Sequence, residues 1–74
     1  MSKYEFKIYI ETIGFKIIGI GYYEYKEYSI TFYDVYYNFY NGSGWINYNY
    51  NDLTPIKENF KKELRSYKLK ALLI

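Results

Sequence analysis

The stretch Tyr28–Tyr50 leaves the chain its least freedom. It reads YSITFYDVYYNFY, then NGSG, then WINYNY. β-branched and aromatic residues crowd both flanks, and Asn41-Gly42-Ser43-Gly44 is the clearest turn signal in the chain. The pattern predicts two strands around that turn. The first, Ser29–Tyr40, places Ile30 and Phe32 on one side and Val35, Tyr37 and Phe39 at the opposite parity. A bulge at Tyr33–Asp34 reconciles the halves. The second, Trp45–Asn51, sends Ile46, Tyr48 and Tyr50 toward the core. Trp45 then wraps over the sheet edge or lies exposed.

The segments before this hairpin extend the same sheet. Lys3–Glu11 alternates, with Tyr4, Phe6, Ile8 and Ile10 on one side and Lys3, Glu5, Lys7, Tyr9 and Glu11 on the other. Period two with a polar face predicts a half-buried antiparallel strand. Phe15–Tyr25 reads as the next strand, with a bulge or bend near Ile17–Gly21. Gly19-x-Gly21 marks that bend and not a phosphate loop, because neither a strand–turn–helix context nor a GKS/GKT follows. A turn around Glu24–Glu27 leads into Ser29.

After Asn51 the pattern changes. Thr54 is a good N-cap, and Pro55 suits a first helical position. Ile56, Phe60, Leu64, Tyr67 and Ala71 then form an apolar stripe. The reading is a single α+β domain, residues 1–74. It has a four-stranded antiparallel meander over 3–51 (β-β-β-β-α) and one C-terminal helix over 55–70 on one face. The tail LKALLI extends that helix or ends as a loosely packed segment, and some of its apolar residues could contact a second copy or a partner.

Seventy-four residues bury a small core, and with no cysteine and no histidine, disulfides and Cys/His metal sites are excluded. Catalysis has little to work with. Asp34 is the one carboxylate inside a strongly aromatic strand, but a backbone-bonded turn carboxylate is the commoner role. Asn49, Asn51 and Asp52 lack calcium-loop spacing. No cofactor is expected. Neither a signal peptide nor a membrane-length apolar run is visible, so a cytoplasmic location without membrane contact is expected, in a host cytoplasm if the chain is viral.

Thirteen tyrosines, with abundant Ile, Lys and Asn, match A/T-rich codons. Such a bias fits a low-GC bacterium, or its phage or mobile element. The rings still exceed what the core holds, so several must face solvent. Tyr9, Tyr33, Tyr36, Trp45, Asn47 and Asn49 are assigned to an uncovered sheet face, where large rings give contact area at low entropic cost. The expected partner is a host protein or protein complex, or a second copy of the chain. The concrete version is inhibition of a host defence complex by occlusion. Glu5, Glu11, Glu24, Glu27 and Asp34 offer acidic contacts to a target that itself binds nucleic acid. The alternative is single-stranded nucleic-acid binding on exposed rings beside Lys7, Lys16, Lys26, Lys57, Lys61 and Arg65. Against it, residues 1–54 carry four lysines and six carboxylates, so the net positive charge lies in the C-terminal segment.

Overall fold

The computed structural model describes residues 1–66. The chain opens with a helix, α1 (Lys3–Ile13), which corrects the expected first strand. Ser2 starts it. Its hydroxyl accepts from the Glu5 backbone N–H at 3.1 Å, and the Glu5 carboxylate accepts from the Ser2 N–H at 3.0 Å. This reciprocal capping box satisfies two donors that a helix start otherwise leaves unpaired. Phe6, Ile10 and Ile13 follow at helical spacing and are buried, while Tyr4 and Ile8 face outward. The alternation of Tyr4, Phe6, Ile8 and Ile10 therefore does not describe a buried face. Gly14 ends the helix at φ +133°, a conformation other residues rarely adopt.

Five strands follow, β1 (Lys16–Gly19), β2 (Tyr22–Tyr25), β3 (Tyr28–Phe32), β4 (Tyr36–Tyr40) and β5 (Trp45–Asn49). They form one antiparallel sheet in sequence order. Two expected long strands are each broken in two. The Ile17–Gly21 irregularity holds a register shift between Ile17 and Gly19 and then a full reversal at Ile20-Gly21, with Gly21 at φ +67°. The parity change at Asp34 is likewise a reversal, with the Tyr33 N–H donating to the Tyr36 carbonyl at 2.9 Å. A parity change does not by itself distinguish a bulge from a tight turn, and here the turn lets Ile30 and Phe39 pair on one face.

Among the described residues, α2 (Thr54–Asn59) and α3 (residues 61–66) close the fold. The expected continuous helix breaks at Phe60, whose φ −126° and ψ 36° are not helical. The cap also differs. Leu53 is the N-cap, and Asp52 Oδ1 accepts from the Thr54 N–H at 3.1 Å. The expected helical residues 67–70, the stripe members Tyr67 and Ala71, and the LKALLI tail lie outside the described residues. The architecture is thus a five-stranded meander with one helix before it and two short helices after it. It replaces the four-stranded β-β-β-β-α arrangement.

All the core rings gather on one face of the sheet. Phe6 of α1 stacks on Tyr37 of β4 at 4.2 Å between centroids and touches Phe32 and Tyr50. Phe60 sits at the α2–α3 break. It packs edge-on against Tyr28 at 4.7 Å and Phe15 at 5.4 Å, and also meets Tyr25 and Phe39. Breaking the helix there turns this one ring into the gap between β2, β3 and β4. Tyrosines enter this core because their hydroxyls reach its rim. The Tyr37 and Tyr50 hydroxyls each donate at 2.6 Å, to the Asp52 and Tyr33 carbonyls.

Candidate functional site

Strand parity fixes what the opposite face carries. Residues paired across the meander share a face. The outer rows are Tyr36–Asn49, then Tyr22–Thr31–Asn38–Asn47, then Lys16–Glu24–Ser29–Tyr40–Trp45. None of the described helices covers them. The face thus has rings at two ends and amides and hydroxyls between. Residues two apart on a strand lie about 7 Å apart, so Tyr36 and Tyr40 mark ends separated by roughly 13 Å.

Each aromatic end is held by a turn. In the 33–35 connection, Tyr33 stacks on Tyr36 at 4.8 Å with an interplanar angle of 16°. The core hydroxyl of Tyr50 anchors the Tyr33 carbonyl from the other side. At the far end, Tyr40 and Trp45 face each other across β4–β5 at 5.2 Å. Their turn is fixed by Asn41, whose Oδ1 accepts from the Ser43 N–H, the Ser43 hydroxyl and the Gly44 N–H. Both ends are preorganised, so a partner would not have to order them on contact.

The middle is polar. Ser29 is buried beneath the Tyr22 hydroxyl, which lies 3.3 Å from Ser29 Oγ and 3.2 Å from a Glu24 carboxylate oxygen. Asn38 Oδ1 is shielded from water and has no hydrogen-bond partner among the described residues. A buried acceptor without a donor costs stability. Formal charge on the face is confined to Lys16 and Glu24, which stand opposite each other in the β1–β2 register.

Of the six residues assigned from sequence to an uncovered face, Tyr33, Tyr36, Trp45, Asn47 and Asn49 gather along β4, β5 and the loop before β4. Tyr9 does not belong with them. It lies on α1, half-buried against the core, because the element that carries it is a helix and not a strand. Burial raises the pKa of its phenol. Sequence reasoning missed Tyr40, which was detectable as the residue that closes the Asn41 turn opposite Trp45.

The five carboxylates named as acidic contacts do not share a surface. Glu5 is committed to the α1 cap, whose Ser2 backbone and hydroxyl bonds lower its pKa. Glu11 lies on α1, Glu24 on the outer face, Glu27 in the β2–β3 turn and Asp34 in the β3–β4 turn. The cations of the nucleic-acid alternative are also divided. Lys16 is on the outer face and Lys7 on α1. Lys26 pairs with Glu63 of α3 at 3.2 Å, which raises its pKa. Lys57, Lys61 and Arg65 line a shallow depression beside Leu64 on the helical side.

Among the described residues no group of acidic side chains is placed to hold a metal ion, and no helix is long and apolar enough to cross a membrane. Comparisons with protein-family models, curated proteins and solved structures found no match.

Proposed function

We propose that the chain is a binding module that acts without catalysis, and that the outer face of its sheet docks a protein partner. The carrying observation is the pair of preorganised aromatic clusters, Tyr33–Tyr36 and Tyr40–Trp45, on either side of an amide-rich strip. Tyrosine and tryptophan dominate protein interfaces because a rigid ring buries much area and keeps a polar edge for hydrogen bonds. Asn38, Asn47 and Asn49 supply donors and acceptors that suit a partner's backbone. Covering a partner's working surface is the mode of inhibition such a face offers, with a host protein as the target.

The separation of charge from rings favours this reading over nucleic acid. Single strands are held by aromatic platforms with cations beside them. Here Lys57, Lys61 and Arg65 lie on the helical side, away from Tyr36 and Trp45. A nearly neutral docking face also predicts association that changes little with salt.

The test uses the intact protein as bait in a lysate of a candidate host, beside Trp45→Ala, Tyr36→Ala and, as a control on α1, Tyr4→Ala. The expected result is one partner retained at high salt, held at least tenfold more weakly by the Trp45 and Tyr36 variants, and unchanged by Tyr4→Ala. Equal capture by all four would place the contact elsewhere. A gel shift with single-stranded RNA or DNA that is lost in Lys57→Ala/Lys61→Ala would move the assignment to nucleic acid.

A further inference from the structure

β1 forms one edge of the sheet, and among the described residues no strand pairs with its outer side. Every residue from Lys16 to Ile20 is exposed. Ile17 and Ile18 are each 61% exposed, and Ile20 is fully so. An edge strand presents unpaired N–H and C=O groups, and proteins usually guard it by keeping it short, by a bulge, or with charge, proline or a covering element. This edge has one lysine, and Glu24 already faces it. Its four-residue length and the register shift between Ile17 and Gly19 limit the ladder to a few bonds without closing it to a partner, and neither adds charge.

We propose that β1 pairs antiparallel with β1 of a second copy, across a two-fold axis normal to the sheet, to give one ten-stranded sheet. Antiparallel pairing is self-complementary. It sets isoleucine against isoleucine and places the two Lys16 side chains at opposite ends of the joint, whereas parallel pairing would bring them side by side. Pairing β1 with β5 of the next copy would be head-to-tail and would not close. It would also set Ile17 and Ile18 against a strand carrying Asn47 and Asn49. Neighbouring strand residues point to opposite faces, so Ile17 and Ile18 flank the joint on its two sides and Ile20 stands in the turn beyond it. Together they expose on the order of 400 Å² per copy, so even full burial in both copies stays below the usual size of a specific interface, and the dimer is weak and reversible.

The symmetry has a consequence for docking. Rotation about the sheet normal keeps each face on its own side, so both outer faces point the same way and all described helices lie on the other. If those faces dock a partner, the dimer presents two sites to a repeated or symmetric target and gains avidity. That consequence rests on the docking function, but the dimer itself does not.

Sedimentation of the intact protein from low to several hundred micromolar tests the joint, beside Ile18→Lys, Ile20→Lys and Trp45→Ala. All three positions are exposed, so each variant should keep the wild-type circular dichroism. The wild type and Trp45→Ala should shift together from monomer to twice the monomer mass, and both lysine variants should stay monomeric. A wild type that is monomeric throughout would overturn the proposal, as would a dimer indifferent to both lysines, or polymers larger than two. Loss of the dimer in Trp45→Ala alone would place the joint on the outer face instead.

Discussion

Tyr37 shows how a polar ring is made to serve as core. It is fully buried, stacked under Phe6, and its hydroxyl donates to the Asp52 carbonyl. Burial pushes its phenol far above the ordinary range, with Asp52 adding to the effect, and burial also raises Tyr50. An unfolded tyrosine ionises near pH 10. Above that pH the unfolded state binds fewer protons than the folded one, so unfolding becomes easier as pH rises; below it these groups add no pH dependence. Tyr37→Phe should therefore cost about 1–2 kcal/mol at neutral pH, through the abandoned Asp52 carbonyl. It should also flatten the loss of stability above pH 10. Urea unfolding midpoints at neutral and alkaline pH, compared with wild type, measure both effects.

Gly14 is a second critical position at this scale. A Cβ there would lie 2.7 Å from the Tyr25 ring, on a backbone already at φ +133°. Tyr25 is not free to retreat, because its hydroxyl bonds Glu63 at 3.0 Å and Glu63 holds Lys26. Gly14→Ala is expected to destabilise by about 1–3 kcal/mol. Urea denaturation of that variant, read against wild type, would expose any smaller effect.

At the level of elements, what the sequence made legible depended on which signals were unique. Asn41-Gly42-Ser43-Gly44 specified its hairpin, because Asn41 alone satisfies three donors there. Tyr48 and Tyr50 turn inward as read, but Ile46, read as core with them, is 51% exposed on the edge strand; the start of a helix near Thr54 was also readable. Lys3–Glu11 was not, since its apolar residues satisfy period two and period 3.6 together, and the deciding feature was Ser2-x-x-Glu5. Ser2→Ala should consequently cost about 1 kcal/mol, with loss of helical ellipticity concentrated in α1; an unchanged Tm would mean that packing of Phe6 and Ile10 alone holds the helix. The α2–α3 break had no sequence signal, because Phe60 continues the apolar stripe. Only the pocket formed by Phe15, Tyr25, Tyr28 and Phe39 reveals why the chain turns there.

At the scale of the whole molecule, sheet parity sorts the rings into two populations. Tyr23, Tyr37 and Tyr50 are buried under the helices, with Tyr9, Tyr25, Tyr28 and Tyr48 packed around them. Tyr22, Tyr36 and Tyr40 stand on the outer face with Trp45, and Tyr33 stacks on Tyr36 from the loop before β4. Composition alone shows an excess of tyrosine and not its division, which needs the correct number of strands. Four strands misplace Tyr9, and five strands with a helix in front put it beside the core.

Tyrosine nitration of the native protein, mapped by peptide mass spectrometry, tests this division most directly. Tyr33 and Tyr36 should react early, Tyr23, Tyr37 and Tyr50 should stay unmodified until urea unfolds the chain, and a bound partner should shield Tyr36 while leaving Tyr4 reactive. Native-state nitration of Tyr23, Tyr37 and Tyr50 at the rate of Tyr36 would contradict the one-sided sheet.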